Sequence, residues 1–145
     1  MKKTVQLLIV FMLSMRIDAV NQNLIVSDTF PQKLSEFHFF VDGSAQIPHS
    51  DVIPYELIST LFSDYSYKQR WVYVPKNTKA QYQENWVFDF PIGSALIKTF
   101  YYPIDERNPE LGKNLLETRL LLRKESGWEA AVSYTHLTLP TSSRV

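Results

Sequence analysis

The chain has 145 residues, 15 basic against 15 acidic side chains, 14% aromatic content and no cysteine. That length suits one domain with a real core, and the balanced charge gives no general electrostatic case for nucleic acid or an anionic lipid surface. Without cysteine these residues form no disulfide, thiol nucleophile, thiolate metal site or covalent c-type haem attachment.

Lys2 and Lys3 precede an apolar run from Val5 to Met15, and Arg16 follows it. A basic start with a run of this length matches a secretory signal and falls short of the ~20 residues that span a bilayer. Ala19 is the one small residue placed for cleavage. Residues 1–19 are therefore expected to be a signal peptide, the protein to be periplasmic or extracellular, and any membrane contact to run through that export signal. Residues 20–131 are expected to form a β-rich domain, mildly acidic with 11 basic and 14 acidic side chains. No partner is indicated.

Residues 21–31 are polar and read as an extended lead-in. A single turn over 33–37 leads into the apolar run Phe37-His38-Phe39-Phe40-Val41, which Asp42-Gly43 ends with a turn dipeptide. Pro48 and Pro54 mark 45–54 as an irregular loop. Tyr55 to Phe62 reads as two helical turns, with Leu57, Ile58 and Leu61 on one face. Arg70-Trp71-Val72-Tyr73-Val74 is a strand by its β-branched and aromatic content, and 78–82 is its expected hairpin partner.

The densest part of the chain is 86–123. Trp86, Phe88 and Phe90 alternate with Val87 and Asp89, the period of a strand. Residues 95–102 are apolar on both faces apart from Lys98, which predicts a strand covered on both sides. In 117–123 Thr118, Leu120 and Leu122 are expected inward, with Glu117, Arg119 and Arg123 outward. Glu125-Ser126-Gly127 turns the chain into a return strand beginning at Trp128. The predicted fold class is mainly β, an antiparallel β-sandwich-like domain truncated at its C-terminal end.

That truncation follows from the last residues. Val132-Ser133-Tyr134-Thr135-His136-Leu137-Thr138-Leu139-Pro140-Thr141 resembles a transposase-type sequencing adapter translated in one frame, and a sample barcode followed by further adapter bases yields Val145 and a stop. Residues 132–145 are accordingly expected to be adapter-derived and are set aside from fold and site assignment, His136 included. Losing the continuation of the Trp128 strand is expected to leave a sheet edge unpaired.

Several phrases occur together in one known family: Pro54-Tyr55-Glu56-Leu57, Leu61-Phe62-Ser63-Asp64-Tyr65, Asp89-Phe90-Pro91-Ile92-Gly93 with Lys98-Thr99-Phe100, Glu117-Thr118-Arg119-Leu120, and Gly127-Trp128-Glu129-Ala130. Over about residues 34–131 the chain resembles a family of secreted bacterial proteins, often labelled conserved hypothetical, that includes diheme c-type cytochromes. The resemblance implies export and a β-rich amino-terminal part, followed in some members by CxxCH haem-attachment motifs. This sequence has no CxxCH, so no haem-binding residue is carried over, and heme c is expected only in a part beyond Ala131.

Asp64, Asp89 and Glu117 are the acids embedded in those phrases. A carboxylate pair could do acid–base work, although a turn cap, an exposed strand position and an Arg partner account for them more simply. His38, His49, Asp42 and Asp51 have the residue types of metal ligands but match no known spacing. Trp71, Tyr73, Trp86, Tyr101, Tyr102 and Trp128 could build a sugar-stacking platform or could be core. No phosphate loop and no G-x-S-x-G motif is present. No catalytic, cofactor-binding or metal residue is therefore assigned. The function expected from the resemblance is that of an amino-terminal fragment of an exported protein associated with c-type cytochromes and serving periplasmic electron transfer. The alternative is a non-catalytic secreted β-sandwich that binds carbohydrate or another surface ligand. A hydrolase using Asp64 or Glu117 comes third.

The nucleotides encoding 132–145 are expected to match adapter and barcode base for base; unrelated codons in that read would refute the assignment.

Overall fold

The computed structural model describes residues 18–59, 62–134 and, for the backbone alone, 141–144. The signal-peptide run lies outside the described residues up to position 17. One short helix, α1 (Gln22–Val26), and a 3-10 turn at Leu34–Phe37 precede the strands β1 (Phe40–Asp42) and β2 (Ile47–Pro48), which form a small ribbon. The main sheet follows as β3 (Val52–Pro54), β4 (Tyr67–Tyr73), β5 (Ala95–Pro103), β6 (Lys113–Lys124), β7 (Gly127–Ser133) and β8 (Thr141–Arg144). These six pair in chain order, every pair antiparallel, so the sheet is a simple meander.

Alternation explains why β4, β5 and β6 form. Along β6, Thr118, Leu120 and Leu122 are at most 1% exposed, while Arg119 between them is open to solvent. Their partners on β5 are Thr99, Ile97 and Ala95, all fully buried, and Trp71 and Tyr73 continue the inner face on β4. Each fully buried Ile or Leu on that face contributes about 1.5–3 kcal/mol relative to exposure. Thr99 and Thr118, both buried on this face, bond each other at 2.8 Å across the strands.

The mainly β, antiparallel class is thus observed, and the second layer that makes it sandwich-like is built mostly from the amino-terminal segment. Val20, Ile25, Leu34, Phe37 and Phe39 join the inner-face residues in one core. Phe37 stacks on Phe39 at 5.1 Å, and Phe40 meets Trp71 edge-on at 5.0 Å. Gly93 makes the close approach of this layer possible. It sits at φ +87°, and a Cβ there would lie 2.9 Å from the Gln22 side chain and 3.2 Å from Pro75.

A buried ion pair ties the layers at one end. Lys124, closing β6, holds Glu129 of β7 at 2.6 Å, donates to the carbonyl of Ser27 at 2.5 Å and lies 4.5 Å over the ring of Phe30. Both partners are nearly enclosed, at 4% and 12% side-chain exposure.

Several local expectations are corrected, and the first is 45–54, expected as an irregular loop, which carries β2 and β3. Residues 21–31 contain α1, which forms because Ile25 buries completely against the sheet. The helix expected over 55–62 is absent from its described residues, since Tyr55 donates its N–H to the Arg70 carbonyl and so continues the β3 ladder. Residues 86–90 form no strand, nor do 78–82; only an isolated bridge joins Gln81 to Asp89. His38, within the apolar run, caps the 3-10 turn in the left-handed region, at φ 57°. Beyond Ala131, β7 runs on through Val132 and Ser133, and the backbone of β8 pairs with β7, so the edge expected to stand open is occupied.

Replacing Lys124 by Ala leaves the Glu129 carboxylate enclosed without its cation and is expected to lower stability in urea denaturation by about 3–5 kcal/mol, whereas the double change Lys124→Met with Glu129→Leu is expected to be near neutral. Equal losses for the two variants would contradict this.

Candidate functional site

The three family-phrase acids separate in part. Asp89 is exposed, and its backbone, rather than its carboxylate, makes the bridge to Gln81. Asp64 and Glu117 line the same open depression together with Ser63, Phe100 and Arg119. Glu117, however, accepts from Arg119 Nε at 2.6 Å, and Asp64 takes part through its carbonyl, which accepts from the Tyr102 hydroxyl at 2.9 Å. The Arg partner of Glu117 lies two residues along its own strand rather than across the sheet. An acid–base pair needs both carboxyls turned towards one reacting group, and here one is taken up by an arginine while the other residue contributes its backbone.

The candidate metal ligands do not assemble. His49 is 6% exposed, and its Nδ1 accepts from the Asp51 N–H at 3.1 Å; Asp51 in turn meets Lys76 at 3.2 Å. Asp42 accepts from the N–H groups of Ser44 and Ala45 at 2.8 and 2.9 Å, turning the β1–β2 connection. The His38 ring contacts the Ala19 carbonyl at 3.2 Å. Among the described residues no three His, Asp or Glu side chains gather as a ligand group, and none of their helices is long and apolar enough to cross a membrane.

The aromatics divide sharply. Trp71 and Tyr73, at 3% and 4% exposure, belong to the core and leave the platform. Tyr101 pairs with Tyr67 at 5.6 Å, and Tyr102 is held by its bond to Asp64. Trp86 is 77% exposed and sits on an excursion of the chain between β4 and β5. Gln81 and Asp89 close this excursion by exchanging both backbone hydrogen bonds, at 2.8 and 3.0 Å. Rings then run from it to the sheet. Tyr82 meets Phe88 at 5.9 Å, Phe88 meets Phe90 at 6.3 Å, and Phe90 meets Trp128 of β7 edge-on at 5.8 Å. Arg123 of β6 reaches the Phe90 carbonyl at 3.4 Å.

The excursion therefore has an anchored base, at Phe90 and Trp128, and a tip where Tyr82, Trp86, Val87 and Phe88 are each more than half exposed. Large apolar side chains clustered in solvent are a recognised mark of a binding surface. Tyr82, Phe88 and Phe90 lay outside the predicted platform, which took Trp86 alone from this segment.

Comparison of the chain with protein-family models, with curated proteins and with solved structures found no match.

Proposed function

We propose that this chain is a non-catalytic binding domain of an exported protein, and that its ligand is a carbohydrate stacked on the aromatic excursion 82–88. The observation that carries this reading is the exposed Trp86 on the same segment as the Tyr82–Phe88 ring pair, clamped at its base by the Gln81–Asp89 bridge. Sugar rings present C–H faces that pack on flat aromatic faces, while Tyr hydroxyls and indole N–H groups supply the polar edge. A short bridge and a ring ladder into the sheet restrict the segment before the ligand arrives, which reduces the ordering entropy lost on binding.

A second reading rests on where the family-like phrases fall. Lys98-Thr99-Phe100 pairs residue for residue with Arg119-Thr118-Glu117, and Gly127-Trp128-Glu129-Ala130 lies on the next strand. Three of the phrases thus fall on the neighbouring strands β5, β6 and β7, which supports the resemblance to secreted cytochrome-associated proteins. In that reading the domain precedes a haem-bearing part and serves periplasmic electron transfer. Genomic sequence continuing the frame past Ala131 with a CxxCH motif is the expected result; a complete frame lacking one excludes electron transfer by covalent haem.

For the first reading, soluble cello- and chito-oligosaccharides titrated against tryptophan fluorescence and calorimetry are expected to bind the full chain. Trp86→Ala is expected to weaken binding by about tenfold or more, as for a central aromatic anchor, without changing the thermal midpoint. Unchanged affinity in that variant, or no response to either oligosaccharide, overturns the proposal.

A further inference from the structure

The outer face of the sheet carries three cations at one level. Arg70 on β4 stands opposite Lys98 on β5, and Lys98 stands opposite Arg119 on β6. Directly opposed residues on one face have Cβ atoms about 5 Å apart, and like charges so placed destabilise a sheet. Lys68 lies two residues from Arg70 on the same face, opposite Phe100. The Phe100 ring receives two of these heads, with Lys98 Nζ at 4.5 Å and the Arg119 guanidinium at 4.8 Å from its centroid. Arg70 itself is only 6% exposed.

Beside the row the face sinks into a concavity of about 280 Å³. Tyr55, Leu96, Leu121 and Ala130 line it, together with Lys98 and Arg119. Glu117, already engaged by Arg119, is the acid whose charge reaches Lys98, and Asp64 lines the adjoining depression. Burial, then Arg70, Arg119 and Lys68 in turn, hold the Lys98 amine below its ordinary range, and Glu117 is the smallest influence and the only one opposing them. The charge of Arg70 also reaches Tyr55, where it works against the rise that burial causes in the phenol.

We propose that this face is a binding site for a tetrahedral oxyanion, a phosphate or sulfate group, seated between Lys98 and Arg119 with Arg70 behind them and any apolar remainder of the ligand in the concavity. Arg119, whose Nε and Nη2 hold Glu117, has its other Nη for the oxygens of such a group, and the Lys98 ammonium adds a point charge. The bound anion removes the repulsion along the row, so the site is less stable empty than filled. It shares no residue with the aromatic excursion and stands or falls independently of carbohydrate binding there.

The test uses the full chain, with sodium phosphate and sodium sulfate compared against sodium chloride at matched ionic strength, since unmatched salt would screen the row nonspecifically. Phosphate, sulfate or both are expected to raise the thermal midpoint beyond chloride; which of them does so assigns the preferred group. Lys98→Met is expected to raise the midpoint in chloride alone and to weaken oxyanion binding about tenfold or more, the loss of one charge-assisted contact, while Lys98→Arg keeps the response. Side-chain NMR of the unmodified protein is expected to place the ion-induced shifts at Lys98 and Arg119, and Trp86→Ala is expected to respond as the unmodified protein does. Neither ion exceeding chloride, an unchanged response in Lys98→Met, a response lost in Trp86→Ala, or shifts placed elsewhere would each overturn the proposal.

Discussion

The register between β5 and β6 is the constraint on which the rest of the molecule depends. Thr99 opposite Thr118, Ile97 opposite Leu120 and Ala95 opposite Leu122 fix which side of the sheet is apolar. A slip of one residue would send the three of one strand to the other face. It would separate the two threonine hydroxyls, which have each other as cross-strand partners at 2.8 Å, and would strand polar groups inside the core. The same register sets the outer face, because the positions between these are Leu96, Lys98 and Phe100 on β5 against Leu121, Arg119 and Glu117 on β6. Core and charged row are two consequences of one alignment.

How the sheet makes room for its polar side is visible at the end of that pairing. Between Phe100 and Tyr101 the register shifts, with β6 supplying an extra residue at Leu116. Such a bulge bends the strand and re-aims its side chains. Leu116 and Glu117 then line the same depression as Phe100 and Tyr102, on the face where Asp64 arrives from the segment before β4. Tyr102 fastens that segment to the sheet through the Asp64 carbonyl. The depression is therefore assembled from pieces 38 residues apart in the chain.

Much of the sheet was legible in the sequence and much of the surface was not, for one physical reason. Alternation in 117–123 and apolar density in 95–102 are local, and both strands appear where that pattern puts them. The apolar outer positions of β5 suggested a strand covered on both sides, whereas the inner face is sealed and Leu96 and Lys98 remain half-buried. Trp86 to Phe90 also alternates, yet alternation describes a strand only when another strand arrives to pair with it, and here Gln81 and Asp89 alone do so. Pro54 read as a helix start because it can begin one, but its neighbour Tyr55 found a better acceptor in the Arg70 carbonyl. The grouping of Arg70, Lys98 and Arg119 leaves no local trace at all. Positions 28 and 21 residues apart become neighbours only through two successive registers.

The meander has a consequence for the order in which the molecule assembles. Each strand of the main sheet pairs with the one made just before it, so apart from the long excursion between β4 and β5 its pairings are local and lose little chain entropy in forming. The covering layer is different. Ile25, Leu34, Phe37 and Phe39 leave the ribosome first, yet the surface they cover, from Trp71 to Leu122, is made last. These side chains stay wet until nearly the whole sheet exists. A chain held extended during that interval, as exported chains are, would avoid a long exposure of its stickiest segment in a collapsed state.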